Sequence, residues 1–253
     1  MKKIALVTGA TSGIGEATAL GLAKAGYNLI ITGRRGTLLS ELKERIEQVD
    51  GCKALTLCFD VRIEEEVNNH LQNLPEEWSK IELLVNNAGL AVGLSPVNDG
   101  VIDDWERMID TNIKGLLYVT RALVPHMISN GKGHIINIGS IAGKSVYPNG
   151  NVYCATKYAV DALSKGMSMD LVNHNIKVSQ VCPGAVETEF SIVRFKGDKD
   201  RADNVYKGFQ PLSATDVADA IVFIATAPDH VNISDMVIMP KAQASPVQIY
   251  KKL

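Results

Sequence analysis

Thr8-Gly9-Ala10-Thr11-Ser12-Gly13-Ile14-Gly15 follows directly on the short apolar run Ile4-Ala5-Leu6-Val7 and leads into an amphipathic segment that starts at Ile14. A strand that delivers a glycine turn to a helix N-terminus makes an anion site. Backbone N–H groups point outward, the helix dipole favours negative charge, and the missing side chains let a pyrophosphate approach. Glycines at 9, 13 and 15 depart from the G-x-G-x-x-G spacing of most dinucleotide-binding dehydrogenases. An ordinary tight turn is the alternative, and the flanking first strand and first helix argue against it.

The same alternation continues outward from this turn. Apolar runs at 4–7, 28–32, 54–59, 83–85, 134–138, 177–181 and 236–239 predict strands, most of them nearly continuous in apolar residues, as expected for strands covered on both faces. Helical periodicity occupies 14–25, 38–49, 64–74, 104–127, 151–172 and 215–227. In 104–127, for example, Trp105, Met108, Ile109, Leu116, Val119, Leu123 and Met127 fall at helical spacing. Strand–helix alternation throughout predicts an α/β fold with a parallel sheet wrapped by helices. No repeat, low-complexity tract or linker divides the chain, so one domain over 1–253 is expected. Two segments break the alternation: 139–149, rich in Gly and Ser after a strand, and about 187–211, long, charged and without a clear period. The second is expected to be a substrate lid, with a solvated surface excursion as the alternative.

Composition narrows the function classes. The chain of 253 residues carries 26 Lys+Arg against 28 Asp+Glu. That balance lacks the basic excess of a nucleic-acid binder and offers no electrostatic membrane anchor. A domain of this size buries about three quarters of its unfolded surface, so it needs no metal or disulfide staple. Cys52, Cys58, Cys154 and Cys182 form no C-x-x-C pair and the five histidines are scattered, so no metal site is expected. The four-residue apolar run after Lys2-Lys3 is too short for a signal-peptide core. With unpaired cysteines, that points to a reducing cytoplasm. No run approaches the ~18 apolar residues of a membrane span.

Cofactor choice is read at the end of the second predicted strand. An acidic residue there holds the ribose 2′-hydroxyl of NAD, and an arginine accepts the 2′-phosphate of NADP. Here the strand ends in Gly33-Arg34-Arg35. Two guanidiniums stand where one could fork onto a phosphate, with no carboxylate to repel it. NADP is therefore expected over NAD, the alternative being two solvated helix-start residues.

The catalytic candidates follow the Gly/Ser-rich segment. Tyr153 and Lys157 are an i, i+4 pair on one helix face. A phenol near pKa 10 is a poor proton donor or acceptor at neutral pH, and bringing it to about 7 requires roughly 4 kcal/mol. An ammonium at ~4 Å supplies on the order of 4 kcal/mol at an effective dielectric of ~20. Ser140 ends the fifth predicted strand, where its hydroxyl could bond a carbonyl oxygen beside the tyrosine; a turn-capping serine is the alternative. Asn112 sits inside the predicted helix 104–127, although asparagine is a mediocre helix former. Local bonding to backbone or water, or plain exposure, would also account for it.

Together these residues make the chain resemble the short-chain dehydrogenase/reductase family over essentially its whole length. The motifs are the glycine turn 8–15, Asp60-Val61, Asn86-Asn87-Ala88-Gly89, Asn112, Ser140, Tyr153-x-x-x-Lys157 and Pro183-Gly184. The glycine spacing and the chain length favour the dehydrogenase branch over the longer sugar-nucleotide epimerases. The intact Tyr-x-x-x-Lys separates the chain from enoyl reductases. The resemblance implies a single-domain Rossmann fold, with a seven-stranded parallel sheet flanked by helices on both faces. It implies cofactor contacts from Gly9, Ser12, Gly13, Ile14 and Gly15 to the pyrophosphate, from Arg34 and Arg35 to the 2′-phosphate, and from Asp60 and Val61 to the adenine. Asn87, Ala88 and Gly89 would line the ribose region, and Pro183, Gly184, Val186 and Thr188 would lie near the nicotinamide. The implied tetrad is Asn112, Ser140, Tyr153 and Lys157. In it Tyr153 moves the proton, Ser140 holds the substrate oxygen, Lys157 depresses the tyrosine pKa and binds the nicotinamide ribose, and Asn112 positions a water.

Residues 133–143, Asn151-Val152-Tyr153, 189–198, His230-Val231-Asn232-Ile233 and Met239-Pro240 look like the NADP-dependent 3-hydroxy acid dehydrogenases. That likeness implies serine, allo-threonine and related 3-hydroxy acids as substrates, and a homotetramer. A carboxylate needs a cation, and Arg194 of the lid is the candidate for a bidentate grip. The resemblance does not assign it, and Lys196 and Arg201 compete. A broad carbonyl or 3-oxoacyl reductase, or a non-catalytic NADPH sensor, are the other functions open at this level. The tail 242–253 has no assigned role, a neighbouring subunit's pocket being one destination.

Overall fold

All seven apolar runs pair into one sheet. In the computed structural model, which describes residues 2–252, the strands are β1 (Ile4–Val7), β2 (Asn28–Gly33), β3 (Ala54–Cys58), β4 (Ile81–Asn86), β5 (Gly133–Ile138), β6 (Ile176–Pro183) and β7 (Asp235–Ile238). They run parallel in the order β3-β2-β1-β4-β5-β6-β7. The terminal residues of the expected domain, Met1 and Leu253, lie outside the described residues. The helices are α1 (Gly13–Lys24), α2 (Gly36–Glu47), α3 (Glu64–Leu71), α4 (Ile102–Ile109), α5 (Leu116–Ser129), α6 (Asn151–Leu171), α7 (Phe190–Arg194), α8 (Lys199–Tyr206) and α9 (Ala214–Ala225).

Strand side chains alternate between two buried layers. Ala5, Val7, Leu29 and Ile31 pack with Leu22 of α1, Leu39 and Ile46 of α2, and Ile221 of α9. Ile4, Leu6, Ile30 and Ile135 face the other way, onto Val67 of α3, Val119 and Leu123 of α5, and Leu171 of α6. Burial on both faces is why these strands read as continuous apolar runs. The chain winds outward from β1 to β3 and then crosses back, so β4 flanks β1 on its other side. Where the order reverses, the loops leaving β1 and β4 part, and a crevice opens at the carboxyl ends of the strands. Thr8 holds its floor: its Oγ1 accepts from Asn87 N at 3.0 Å and Ala88 N at 2.9 Å.

Two expectations are corrected. The helix predicted at 104–127 is interrupted: α4 and α5 are joined through a π-helical turn, Asp110–Gly115, that contains Asn112. Asn112 turns its amide inward to other elements, and Gly115 lets the widened turn approach Val61, where a Cβ would come within 2.8 Å of Val61 Cγ2. The segment 187–211 is not irregular. It holds α7 and α8, and the Asp198 side chain caps α8 by accepting from Arg201 N at 3.0 Å. The tail, unassigned in the sequence, is tied to its own chain: Gln243 Oε1 accepts from Ala185 N at 2.8 Å and Lys252 N donates to Gly208 O at 2.8 Å, so it straps the lid.

His134 lies buried between β5 and β6, with Nε2 2.8 Å from Ser179 Oγ. Ser179 donates its own hydrogen to Asn232 Oδ1 at 3.2 Å, so Nε2 carries the proton of a neutral ring. Burial, helped by the Lys177 charge, pushes the His134 pKa down to about 3. The sign follows by linkage. The unfolded imidazole binds a proton below about 6.5 and the folded one does not until about 3, so stability drains as pH falls through that window, at up to ~1.4 kcal/mol per pH unit. Urea midpoints between pH 6.5 and 4.5 should therefore fall less steeply in His134→Asn than in the parent; equal slopes would refute the assignment.

Candidate active site

The crevice deepens into a cavity of about 500 Å³. Its wall includes Gly9, Ser12, Gly13, Ile14, Arg34, Arg35, Asp60, Val61, Asn87, Ala88, Gly89, Ser140, Tyr153, Lys157, Pro183, Gly184, Val186, Thr188 and Arg194. Residues predicted from eight separate stretches thus meet on one surface. Two do not reach it. A Cβ at Gly15 would collide with the Gly9 carbonyl oxygen, so this glycine lets α1 pack against the turn and does not border the cavity. Asn112 is 2% exposed. Its Oδ1 accepts from Leu90 N at 2.9 Å, and its Nδ2 donates to Leu90 O at 2.8 Å and Thr156 Oγ1 at 3.0 Å. Both amide hydrogens are spent tying the loop after β4 to α6, so the side chain positions framework.

Tyr153 is buried in the first turn of α6. Burial raises its pKa, while the nearby Arg194 charge and a hydrogen bond with Ser140 pull against that rise. Ser140 also accepts from Ala142 N at 3.1 Å, capping the turn Ile141–Gly143. The turn-capping reading of this serine is thus observed, and its hydroxyl also borders the cavity beside Tyr153. Lys157 sits one helical turn along. Its ammonium lies 6.0 Å from the Tyr153 ring centroid and donates to the Ile138 carbonyl at 2.8 Å. The charge that opposes the effect of burial on the phenol is that of Arg194, while the lysine ammonium is turned to the carbonyl at the end of β5. Burial with no counter-charge pushes Lys157 down to about 8.

The lid cations separate cleanly. Lys196 pairs with Asp104 at 2.8 Å, and Arg201 stacks on Phe195 with its guanidinium carbon 4.5 Å from the ring. Neither borders the cavity. Arg194 does: its guanidinium carbon lies 4.8 Å from the Phe190 ring centroid and 5.1 Å from that of Tyr153, and Nη2 donates to Tyr147 Oη at 3.0 Å. Tyr147, Phe190, Thr11 and the tail residues Gln243, Pro246 and Ile249 also line the wall and went unread in the sequence. An aromatic closing the Gly/Ser-rich segment was the one available hint for Tyr147.

At the glycine turn, Arg34 Nη1 stands 3.7 Å from Asp60 Oδ2. Burial would raise the Asp60 pKa, but hydrogen bonds from Arg62 and the charges of Arg62 and Arg34 hold it below the usual carboxylate range. Arg35 bonds Thr11 Oγ1, Ser12 Oγ and Glu189 Oε2. The reading that no carboxylate stands near the arginines holds along the strand and fails in space, because β3 and the lid each bring one.

The residues fit a dinucleotide. Gly9 and Gly13 take φ of 64° and 55°, and a Cβ on Gly13 would crowd Thr188 at 3.2 Å; an open cradle requires glycine at both. Two arginines lie beside it, and a buried ammonium with no anionic partner among the described residues lies beyond. If Arg34 receives a 2′-phosphate, Arg34→Asp should lower the ratio of kcat/KM for NADPH to that for NADH by roughly a hundredfold. Equal losses with both cofactors would remove that role.

Residues 3–199 match the short chain dehydrogenase family. The NADP-dependent 3-hydroxy acid dehydrogenase of Escherichia coli is 46% identical over 242 residues, covering 95% of this chain and 96% of that one. Sulfoacetaldehyde reductase 2 of Chromohalobacter salexigens is 44% identical over 245 residues, 96% of each. The closed form of a serine dehydrogenase complexed with NADP+ superposes with a TM-score of 0.91 at 43% identity, covering 98% of this chain and 100% of that one.

Proposed function

This chain belongs to the short-chain dehydrogenase family, and from that membership we propose that it interconverts small 3-hydroxy acids, serine and allo-threonine among them, with their 3-oxo acids. It is an NADP-dependent oxidoreductase of CH–OH groups. The observation that carries the substrate reading is Arg194, a guanidinium on the cavity wall whose hydrogen-bond partner among the described residues is the Tyr147 hydroxyl. Its remaining donors are free to fork onto a carboxylate.

The bound nucleotide supplies the hydride chemistry, held by the glycine turn, Arg34, Arg35 and the Asn87–Gly89 loop. Tyr153, kept protonated by burial, donates to the substrate oxygen during reduction and, once ionised, accepts the hydroxyl proton during oxidation. Ser140 holds that oxygen and stabilises its developing charge. Lys157 offers its ammonium to the ribose side of the nucleotide. Arg194 and Tyr147 orient the acid group, and Asn112 keeps the loop after β4 in register with α6.

Turnover followed at 340 nm with both cofactors and a panel of acids and ketones tests this. Activity on serine, allo-threonine or unsubstituted 3-hydroxy acids, with little on ketones lacking a carboxylate, is expected. The reverse pattern selects a broad carbonyl or 3-oxoacyl reductase, a reading favoured by the apolar wall of Phe190, Val193, Val205 and Ile249. No turnover with any of them would leave a nucleotide sensor.

Homotetrameric assembly in the cytoplasm belongs to the same proposal. Leu117, Ile128, Tyr158 and Met169 of α5 and α6 are exposed in the single chain, an apolar surface that a partner subunit would cover. All four cysteines are free, and no helix among the described residues is long and apolar enough to cross a membrane.

A further inference from the structure

We propose that Glu189 of the lid competes for the Arg35 guanidinium that receives the cofactor 2′-phosphate, so that a 2′-phosphorylated nucleotide both displaces this carboxylate and unties the lid. The proposal rests on reading Arg35 as a partner of that phosphate.

Arg35 is already occupied in this structure. Its Nε and Nη2 donate to Thr11 Oγ1 at 3.1 and 2.9 Å, and Nη2 donates to Ser12 Oγ at 2.8 Å. Its Nη1 donates to Glu189 Oε2 at 3.1 Å. The two hydroxyls are neutral and belong to the glycine turn, so they aim the guanidinium without competing for its charge. Glu189 is an anion, and it comes from a different element. It occupies the position before α7 without capping that helix through its side chain; among the described residues its carboxylate bonds Arg35 alone.

That contact ties the start of α7 to the glycine turn, beside the packing of Thr188 on Gly13. The other end of α7 is held by Gly93 N donating to the Arg194 carbonyl at 2.9 Å. The helix carrying the substrate arginine is therefore held at both ends and by Ser191 against Tyr206 of α8 at 2.7 Å, and one of these ties is an ion pair that an incoming phosphate contests. A phosphate offers up to two charges and three acceptor oxygens to the same fork and repels the neighbouring carboxylate. The 2′-hydroxyl of NAD offers neither, so it leaves the pair intact. Glu189 thereby becomes a selectivity element: it lowers the gain from the 2′-phosphate, and it lets the lid sense which cofactor is bound.

The test uses 2′,5′-ADP and 5′-AMP, which differ only in the 2′-phosphate, titrated calorimetrically into the parent, Glu189→Gln and Arg35→Gln. The Arg35–Glu189 pair is about half exposed and of surface strength, so Glu189→Gln should bind 2′,5′-ADP on the order of threefold tighter, with 5′-AMP unchanged. Amide hydrogen exchange over 189–206 should be faster in the parent with 2′,5′-ADP than with 5′-AMP, and fast in Glu189→Gln without nucleotide. Unchanged 2′,5′-ADP affinity in Glu189→Gln, with a clear loss in Arg35→Gln, overturns the competition and leaves the Arg35 reading standing. Unchanged affinity in both variants removes the Arg35 reading and the proposal with it. Exchange that ignores the 2′-phosphate overturns the link to the lid.

Discussion

Tyr153→Phe is expected to lower kcat by about a thousandfold or more in both directions while leaving the NADPH dissociation constant within about twofold. The substitution removes one hydroxyl and keeps the ring. The contacts of that ring with Arg194 and Phe190 survive, so the cavity wall holds its shape and the loss falls on chemistry. Retention of more than a few per cent of kcat would exclude the phenol as the proton-transfer group. The pH profile provides a second reading. Burial raises the phenol pKa, so near neutrality the group is an acid ready to donate. Oxidation requires the phenolate, whose fraction grows about tenfold per pH unit below the pKa. Oxidative kcat/KM should therefore climb with pH through the neutral and mildly alkaline range, while the reductive value does not.

Arg194→Ala should raise KM for 3-hydroxy acids by roughly thirty- to a hundredfold, the scale of a lost charged hydrogen bond, with a much smaller change in kcat. A ketone without a carboxylate should be nearly indifferent. Arg194→Lys should recover part of the loss, since it restores the charge without the fork. A KM for hydroxy acids that stays put would end the assignment. The same variant tests the electrostatics around Tyr153. Arg194 is the charge that opposes the effect of burial there, so its removal should move the alkaline limb of the oxidation profile to higher pH.

These two residues also mark how far the sequence could be read. The placement of Tyr153 was legible because it is local: the tyrosine and lysine share a helix face by their spacing alone. What the pair does was not. Lys157 reaches the Ile138 carbonyl and Arg194 reaches the tyrosine ring, and neither contact follows from an interval of four residues. Arg194 could be named among three lid cations, but choosing it required seeing Lys196 taken by Asp104 and Arg201 laid on Phe195. Asn112 was singled out as a poor helix former in a helix, and the π turn there shows what that signal meant. Nothing periodic in the tail announced that Pro246 and Ile249 would close the cavity.

The alternation of continuous apolar runs with amphipathic stretches, and the glycines placed between the first run and the first helix, determined the parallel sheet, its two covered faces and the open glycine turn at the crevice. Those properties depend on neighbours in the chain and on a period, which a linear string records completely. The partners of the charges at the cavity and lid were decided by tertiary structure. Asp60, Glu189, Asp104 and Tyr147 come from β3's exit, the lid, α4 and the loop after β5, and each meets its arginine or lysine only once the sheet has folded them together. An ion pair is set by distance in space, and the chain encodes that distance only through the packing of everything between.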